Sequence, residues 1–168
     1  VDAVAAGLDM GWVKSNGRLA NGSALVIAAP VVLSQGDVRE LQLAKGAIAA
    51  GLRILAQRWG AGLEGLSRIY LAGAFGNYIN RASARRIGLI DFPPDKVQPA
   101  GNTALLGAKL ALFNLSENEG RYAHVLRKIE HVPLNEDPAF QDIYVEEMGF
   151  PESMTGSGRL HPLALERP

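Results

Sequence analysis

The stretch Arg68-Ile69-Tyr70-Leu71-Ala72-Gly73-Ala74-Phe75-Gly76-Asn77 constrains this chain most. Ile69 to Leu71 are β-favouring and apolar, and predict a short strand. Small residues follow, with Gly73 and Gly76 three apart. Glycine permits positive φ and a close approach of backbone to a ligand. A strand running into such a loop, with a helix after it, is how α/β folds commonly present backbone to a phosphate or nucleotide. The plainer reading is a tight turn at a strand end. A second junction of the same kind comes later. Lys96 to Ala100 predicts a short strand, and Gly101-Asn102 opens a helix with Asn102 as its cap. If the two strands are neighbours in one sheet, both glycine turns emerge at the same edge and line one crevice. Neither turn is a P-loop, and Gly73-x-x-Gly76 is only part of a dinucleotide fingerprint.

The elements around these junctions alternate strand and helix. Val1, Val4, Leu8 and Trp12 lie at helical spacing, and Lys14-Ser15-Asn16-Gly17 ends that helix. Asp9-Met10-Gly11 has the look of a phosphate-loop Asp-x-Gly but falls inside the helical register, so it is read as coincidence. Ala24 to Leu33 reads as one strand, or two broken near Pro30. Ser34 or Asp37 caps a long helix running to about Trp59, with Val38, Leu41, Ile48, Leu52, Leu55 and Trp59 as its apolar stripe. Lys45 falls inside that stripe. It either snorkels to water or points into a cleft towards an anion. Gly46 and Gly51 each cost that helix about 1 kcal/mol relative to Ala, which suggests close packing against another element.

Gly60 to Ser67 is a glycine-containing loop. Asn80 caps a short helix over Arg81 to Ile87, ended by Gly88. The helix after Asn102 carries Leu106, Leu110 and Phe113 on its expected core face. Ser116-Glu117-Asn118-Glu119 reads as a capping box, before a helix with Tyr122, Val125, Leu126 and Ile129 inward. Glu130 to Leu134 reads as a short strand. Asp137-Pro138 starts a last helix with Phe140, Ile143, Tyr144 and Met148 on one face. From Pro151 onward periodicity is lost, and residues 152–168 predict a loose tail. The whole is an α/β layered domain.

Composition narrows the chemistry. With 17 basic and 17 acidic residues the formal charge is zero, which gives no footprint for nucleic acid. No apolar run reaches the roughly 20 residues of a membrane span. There is no cysteine, so the chain offers no thiolate metal ligand, iron–sulfur ligand or thiol nucleophile. That usage fits a cytoplasmic protein. His124, His131 and His161 show no zinc-helix spacing, and no acid/base carboxylate pair stands out. No catalytic residue or metal ligand is assigned. The absence of an initiator Met suggests a piece of a longer protein.

Five motifs in order carry a resemblance: Asp37-Val38-Arg39-Glu40-Leu41-Gln42-Leu43-Ala44-Lys45-Gly46-Ala47-Ile48, Leu71-Ala72-Gly73-Ala74-Phe75-Gly76-Asn77-Tyr78-Ile79, Arg86-Ile87-Gly88-Leu89-Ile90, Gly101-Asn102-Thr103-Ala104-Leu105-Leu106-Gly107-Ala108, and Asp137-Pro138-Ala139-Phe140 with Gly149-Phe150-Pro151. Over about residues 1–151 the chain resembles the C-terminal region of the reductive activators of corrinoid proteins. That resemblance implies an RNase H-like subdomain of the acetate and sugar kinase, heat-shock chaperone and actin superfamily: a mixed sheet flanked by helices, forming the C-terminal half of an actin-like ATPase domain. It implies ATP with Mg as cofactor, and a [2Fe–2S] cluster in an N-terminal ferredoxin-like domain outside this chain. It implies a corrinoid protein of a methyltransferase system as partner, together with the upstream half of the same ATPase domain, and leaves a homodimer open.

Carried over by residue, Leu71, Ala72, Gly73, Ala74, Phe75 and Gly76 resemble the adenosine motif, with Asn77 beside it. Gly101 and Asn102 line the same edge, and Lys45 is a weaker transfer. The magnesium and phosphate loops belong upstream of Val1, so residues 1–168 alone are expected to bind ATP weakly and not to hydrolyse it. Two other readings stand beside this one. One is a protein-interaction module that keeps the fold and docks a corrinoid or methyltransferase partner. The other is a dinucleotide-binding oxidoreductase, disfavoured because Pro93-Pro94 makes a turn where an acidic strand end is needed.

Overall fold

The computed structural model describes residues 1–60, 62–113 and 122–152. Helix α1 (Asp2–Asp9) leads into a turn closed by Lys14 N–H to Arg18 O and Gly17 N–H to Lys14 O. Strands β1 (Ala24–Ala28) and β2 (Val31–Ser34) form an antiparallel hairpin, bent at the cis Ala29–Pro30 bond. Ser34 ends β2 and caps α2 (Gln35–Arg58). Its Oγ accepts from Asp37 N–H at 3.1 Å, while the Asp37 carboxylate accepts from Ser34 N–H at 2.8 Å. This is a reciprocal capping box. The hydroxyl and the amide of Ser34 hold Asp37 below the usual carboxylate range.

Strand β3 (Ile69–Ala72) is followed by α3 (Gly73–Tyr78), α4 (Arg81–Arg86), β4 (Val97–Gly101) and α5 (Thr103–Phe113). Asn80 caps α4 by accepting from Ala82 and Ser83. Gly88 ends it at φ +72°. A short helical segment covers 122–126, and α6 (Phe140–Glu147) follows. β3 and β4 are parallel neighbours, joined by the α3–α4 crossover. The expected mixed sheet is present here as two two-stranded pairs, one antiparallel and one parallel. The α/β class holds.

One core cluster joins α1, the 13–19 turn, α2, α4 and the loop to Phe92, through Val4, Leu8, Val13, Leu19, Val38, Ile87 and Phe92. Leu33 of β2 and Ile69 and Leu71 of β3 pack against it. A smaller cluster joins α2 to α6 through Ala50, Ile54 and Ile143. Gly46 is where these two helices meet, and Gly51 meets Leu134 just before α6. A Cβ on Gly46 would lie 3.1 Å from Met148 Cγ, and one on Gly51 would lie 3.2 Å from Leu134 Cδ1. The face of α6 expected from Phe140, Ile143 and Tyr144 is the one that packs.

Several expected faces and elements are corrected. α2 buries Val38, Gln42, Lys45, Gly46, Ala50, Gly51, Ile54 and Ala56, whereas Ile48, Leu55 and Trp59 are exposed. The stripe rotated because a close helix partner selects small residues, not large ones. Trp12 lies past the end of α1 and is exposed. α5 buries none of its residues; Leu106, Leu110 and Phe113 face outward. Glu130–Leu134 is not a strand; a 3₁₀ turn, Leu134–Glu136, lies there instead. α6 starts after Asp137-Pro138 rather than at it, although Asp137 Oδ1 still accepts from Ala139 N–H at 3.0 Å. The Ser116–Glu119 capping box and the 152–168 tail lie outside the described residues, save Glu152.

Ile54 is 1% exposed at the α2–α6 contact. Ile54→Ala should destabilise the chain by about 2–5 kcal/mol, read as a lower urea midpoint with an unchanged slope.

Candidate functional site

The site is the rim where β3 and β4 end together. The register pairs Ile69 with Val97, Tyr70 with Gln98 and Leu71 with Pro99, then shifts so that Ala72 pairs with Gly101. The two glycine turns therefore leave one edge of one parallel pair, side by side. Gly73 has φ +85° and Gly101 φ +69°, a region that L side chains rarely occupy. A Cβ built at either would meet nothing within 4 Å. Among the described residues no packed side chain plugs these two positions; their backbone borders open space. Gly76 is glycine for a different reason. A Cβ there would lie 2.8 Å from the carbonyl carbon and oxygen of Leu71, so only glycine lets α3 fold straight back on its own strand.

The side chains of this rim divide clearly. Leu71 is half-buried against the core, whereas Ala72, Ala74 and Asn77 are exposed and Phe75 is 64% exposed. Asn102 is the expected cap: its Oδ1 accepts from Leu105 N–H at 3.0 Å. Below the rim, Arg81 at the start of α4 donates to Val97 O at 2.9 Å. That bond ties the crossover to the start of β4. The sequence alone shows no signal for it, since an arginine at the first position of a helix is ordinarily solvated.

Lys45 is not at this rim, nor does it snorkel. It is 2% exposed, and its Nζ donates to Gly149 O at 2.6 Å and lies 5.9 Å from the centre of the Phe150 ring. Burial pushes its ammonium below the ordinary lysine value, and Glu147 opposes that shift. Neighbouring groups complete a clasp on the same segment. Gln42 Nε2 donates to Met148 O at 3.0 Å, Phe150 N–H to Ser15 O at 2.8 Å, and Arg86 Nη1 to Pro151 O at 3.0 Å. Asp9 of the suspected phosphate motif pairs with Arg86, which supports reading it as coincidence.

The histidines do not converge. His124 and His131 are exposed, and His161 is outside the described residues. Among the described residues no group of three or more His, Asp or Glu is placed to hold a metal. The two best-formed cavities are about 100 Å³, beside Trp12 and Leu25, and about 50 Å³, between Leu52, Arg53 and Leu89. Both are smaller than the roughly 300 Å³ of an ordinary ligand site, and neither is lined by the rim glycines. The rim is an open shelf and not a pocket. Among the described residues no helix is long and apolar enough to cross a membrane.

A hairpin, a long helix, and a parallel strand–crossover–strand unit with its backbone bared at one rim make an α/β domain. The chain matches, over residues 1–158, the family described as the C-terminal domain of RACo, the ASKHA domain, and it belongs to that family. Among relatives it is 36% identical over 126 residues to the corrinoid activation enzyme RamQ of Eubacterium limosum, covering 74% of this chain and 21% of that protein. It is 28% identical over 152 residues to the [Co(II) methylated amine-specific corrinoid protein] reductase of Methanosarcina barkeri, covering 89% of this chain and 28% of that protein. The solved structure of a reductive activator for corrinoid, iron-sulfur protein superposes with a TM-score of 0.79 at 27% identity, over 90% of this chain and 27% of that one. The chain thus spans between a fifth and three tenths of the length of these proteins.

Two predictions follow from the geometry of Gly76 and of Lys45. Gly76→Ala should cost about 1–3 kcal/mol in urea unfolding, because backbone must move to admit the methyl group. Gly107→Ala, in open space on α5, should be neutral or stabilising by up to about 1 kcal/mol. For Lys45 the folded state binds its proton less tightly than the unfolded chain, so stability rises with pH up to the ordinary value of 10.5. The stability of the wild type relative to Lys45→Met should therefore grow between neutral pH and pH 10.5, as followed by urea unfolding.

Proposed function

We propose that this chain is the nucleotide-site part of an ATP-dependent reductive activator of corrinoid proteins. The complete activator couples ATP hydrolysis to electron transfer from an iron–sulfur cluster onto cob(II)alamin. The observation that carries the reading is the Ala72–Gly101 pairing in a chain of this family: it sets two positive-φ glycines at one open rim. In this reading the nucleoside lies along the backbone of Leu71 to Gly76, with Asn77, Gly101 and Asn102 beside it. The open space at Gly73 and Gly101 fits a ligand that is approached by backbone. Lys45 drops out of the site, because its ammonium is spent on Gly149.

The chain's own chemistry limits its share of the work. It holds no cysteine, so a [2Fe–2S] cluster must sit in another domain. The Mg and phosphate contacts are assigned to the upstream half of the ATPase domain, as the family resemblance implies. Bound MgATP supplies the free energy that makes an unfavourable electron transfer proceed. What residues 71–77 and 101–102 do is hold and orient the nucleoside. The names of the relatives support a corrinoid protein as the partner, and we assign that protein to a methyltransferase system. A cytoplasmic location completes the proposal.

Isothermal calorimetry tests it. The full-length polypeptide should bind MgATP with micromolar affinity, whereas residues 1–168 should bind weakly or not at all and should not hydrolyse it. Gly73→Val forces a branched side chain into a positive-φ position, at a strain of about 1–3 kcal/mol. It should weaken binding by full-length protein about tenfold or more, with the circular dichroism spectrum retained. Unchanged affinity in that variant, or no binding by the full-length wild type, would leave the interaction-module reading in its place.

A further inference from the structure

Two Asn-Gly pairs lie between α1 and β1, and the fold treats them differently. Asn16-Gly17 is fastened on every side. Gly17 N–H donates to Lys14 O at 2.8 Å, and Asn16 Oδ1 accepts from Arg18 N–H at 3.1 Å. Gln35 Nε2 donates to Gly17 O at 2.8 Å, and Gln42 Nε2 donates to Asn16 O at 3.3 Å. Gly17 is buried, and a Cβ there would collide with the Gln42 side chain. Asn21-Gly22 has no such fastening. Among the described residues neither the Asn21 side chain nor Gly22 N–H has a hydrogen-bond partner. Residues 20–24 are all exposed. Gly22 sits at φ +71°, and a Cβ there would meet nothing within 4 Å. Only the ends of this bend are held, by Ala20 N–H on Trp12 O at 2.8 Å and by Gln35 N–H on Ser23 O at 2.9 Å.

Asparagine is a thermally labile residue, and glycine after it carries no Cβ to shield its own nitrogen. We propose that Asn21 is a site of spontaneous covalent modification, in which its carboxamide becomes a carboxylate through a ring closed by Gly22, while Asn16 is kept inert by the fold. The Gly22 nitrogen gives its proton to hydroxide and attacks Asn21 Cγ. A Cγ–N bond forms, the Cγ–Nδ2 bond breaks, and Nδ2 leaves as ammonia with a proton from water. Water then opens the five-membered imide at either carbonyl. One opening gives aspartate. The other gives isoaspartate, in which the main chain runs through the former side chain. Water is consumed, ammonia is released, and nothing is oxidised or reduced. The same step at Asn16 needs Gly17 to release Lys14 and the carboxamide to release Arg18, so it proceeds only from a locally opened state. The product sets a new carboxylate on the wall of the cavity beside Trp12, Leu19 and Leu25, and isoaspartate lengthens the main chain just before β1. The inference does not rest on the nucleotide reading.

Ageing the full-length polypeptide at physiological temperature and mildly alkaline pH, then digesting it with trypsin for mass spectrometry, tests the idea. Cleavage after Lys14, Arg18 and Arg39 puts the two pairs on separate peptides, 15–18 and 19–39. In the folded protein Asn21 should be converted at least about tenfold faster than Asn16, which must wait for local opening. Electron-transfer fragmentation should find isoaspartate among the products at position 21, and the rate there should rise with pH. In concentrated urea, where both pairs are open, the two rates should converge. Equal rates in the folded protein would overturn the proposal. So would an Asn21 that is slow when folded and fast in urea, which would mark a covering segment from elsewhere in the polypeptide. Gly22→Val places a stiff branched side chain beside the attacking nitrogen, and should slow conversion of Asn21 about tenfold or more, in urea as well as in the folded state. An unchanged rate in that variant would contradict ring closure by Gly22.

Discussion

The parallel register of β3 and β4 is the constraint on which the rest of this molecule depends. Parallel neighbours need a crossover, and here it consists of two six-residue helices and a proline-containing turn. Gly76 lets α3 turn back within van der Waals reach of Leu71, Asn80 restarts the chain as α4, and Arg81 returns a hydrogen bond to the first residue of β4. Each device is local. Together they leave the two strand ends level, so that two glycine turns meet at one rim. Had the register slipped by a residue, Gly101 would have met a different neighbour and the shelf would have lost its symmetry of open backbone.

A second constraint closes the other side of the core. Met148 to Pro151 runs past α2, the 13–19 turn and α4, and three of its carbonyls are taken by side chains from two helices. A buried ammonium is costly because it loses water. Lys45 offsets that cost with a short hydrogen bond to Gly149 and with the face of Phe150. Gly88 belongs to the same arrangement: a Cβ there would press on both the Lys45 ammonium and the Pro151 ring. A segment without regular structure is thereby made part of the core, and α4 is fixed at both ends, by Arg81 and by Arg86.

Local chemistry was the legible part of the sequence. Ser34, Asn80 and Asn102 act as caps where their spacing predicts, and the cost of Gly46 and Gly51 correctly signalled close neighbours, α6 for Gly46 and the 3₁₀ turn at Leu134 for Gly51. The glycine junctions were legible as strand ends, though Gly73 to Tyr78 is a short helix and not the expected loop, and their shared rim needed only the assumption that β3 and β4 pair. What failed was the choice of face. The stripe rule assumes that a helix buries its largest apolar residues. α2 packs against α6 through glycine and alanine, so its large residues Ile48 and Leu55 were displaced to the surface. The role of Lys45 was not legible either, because its partner is a carbonyl 104 residues away in sequence.

The misreading of α5 has a different origin. An eleven-residue helix gains little from propensity alone and in water is marginal without packing. α5 has a cap from Asn102 but buries no residue, while Leu105, Leu106, Leu110, Leu112 and Phe113 are each at least half exposed. Its sequence is nearly uniformly apolar around the helix, which is the pattern of an element covered on several sides. The same excess of bare apolar surface marks both strands of the hairpin. Core prediction from sequence asks which residues are buried, and these residues satisfy it. Among the described residues α5 keeps its cap and its apolar residues stay exposed, while the hairpin reaches the core only through Leu33.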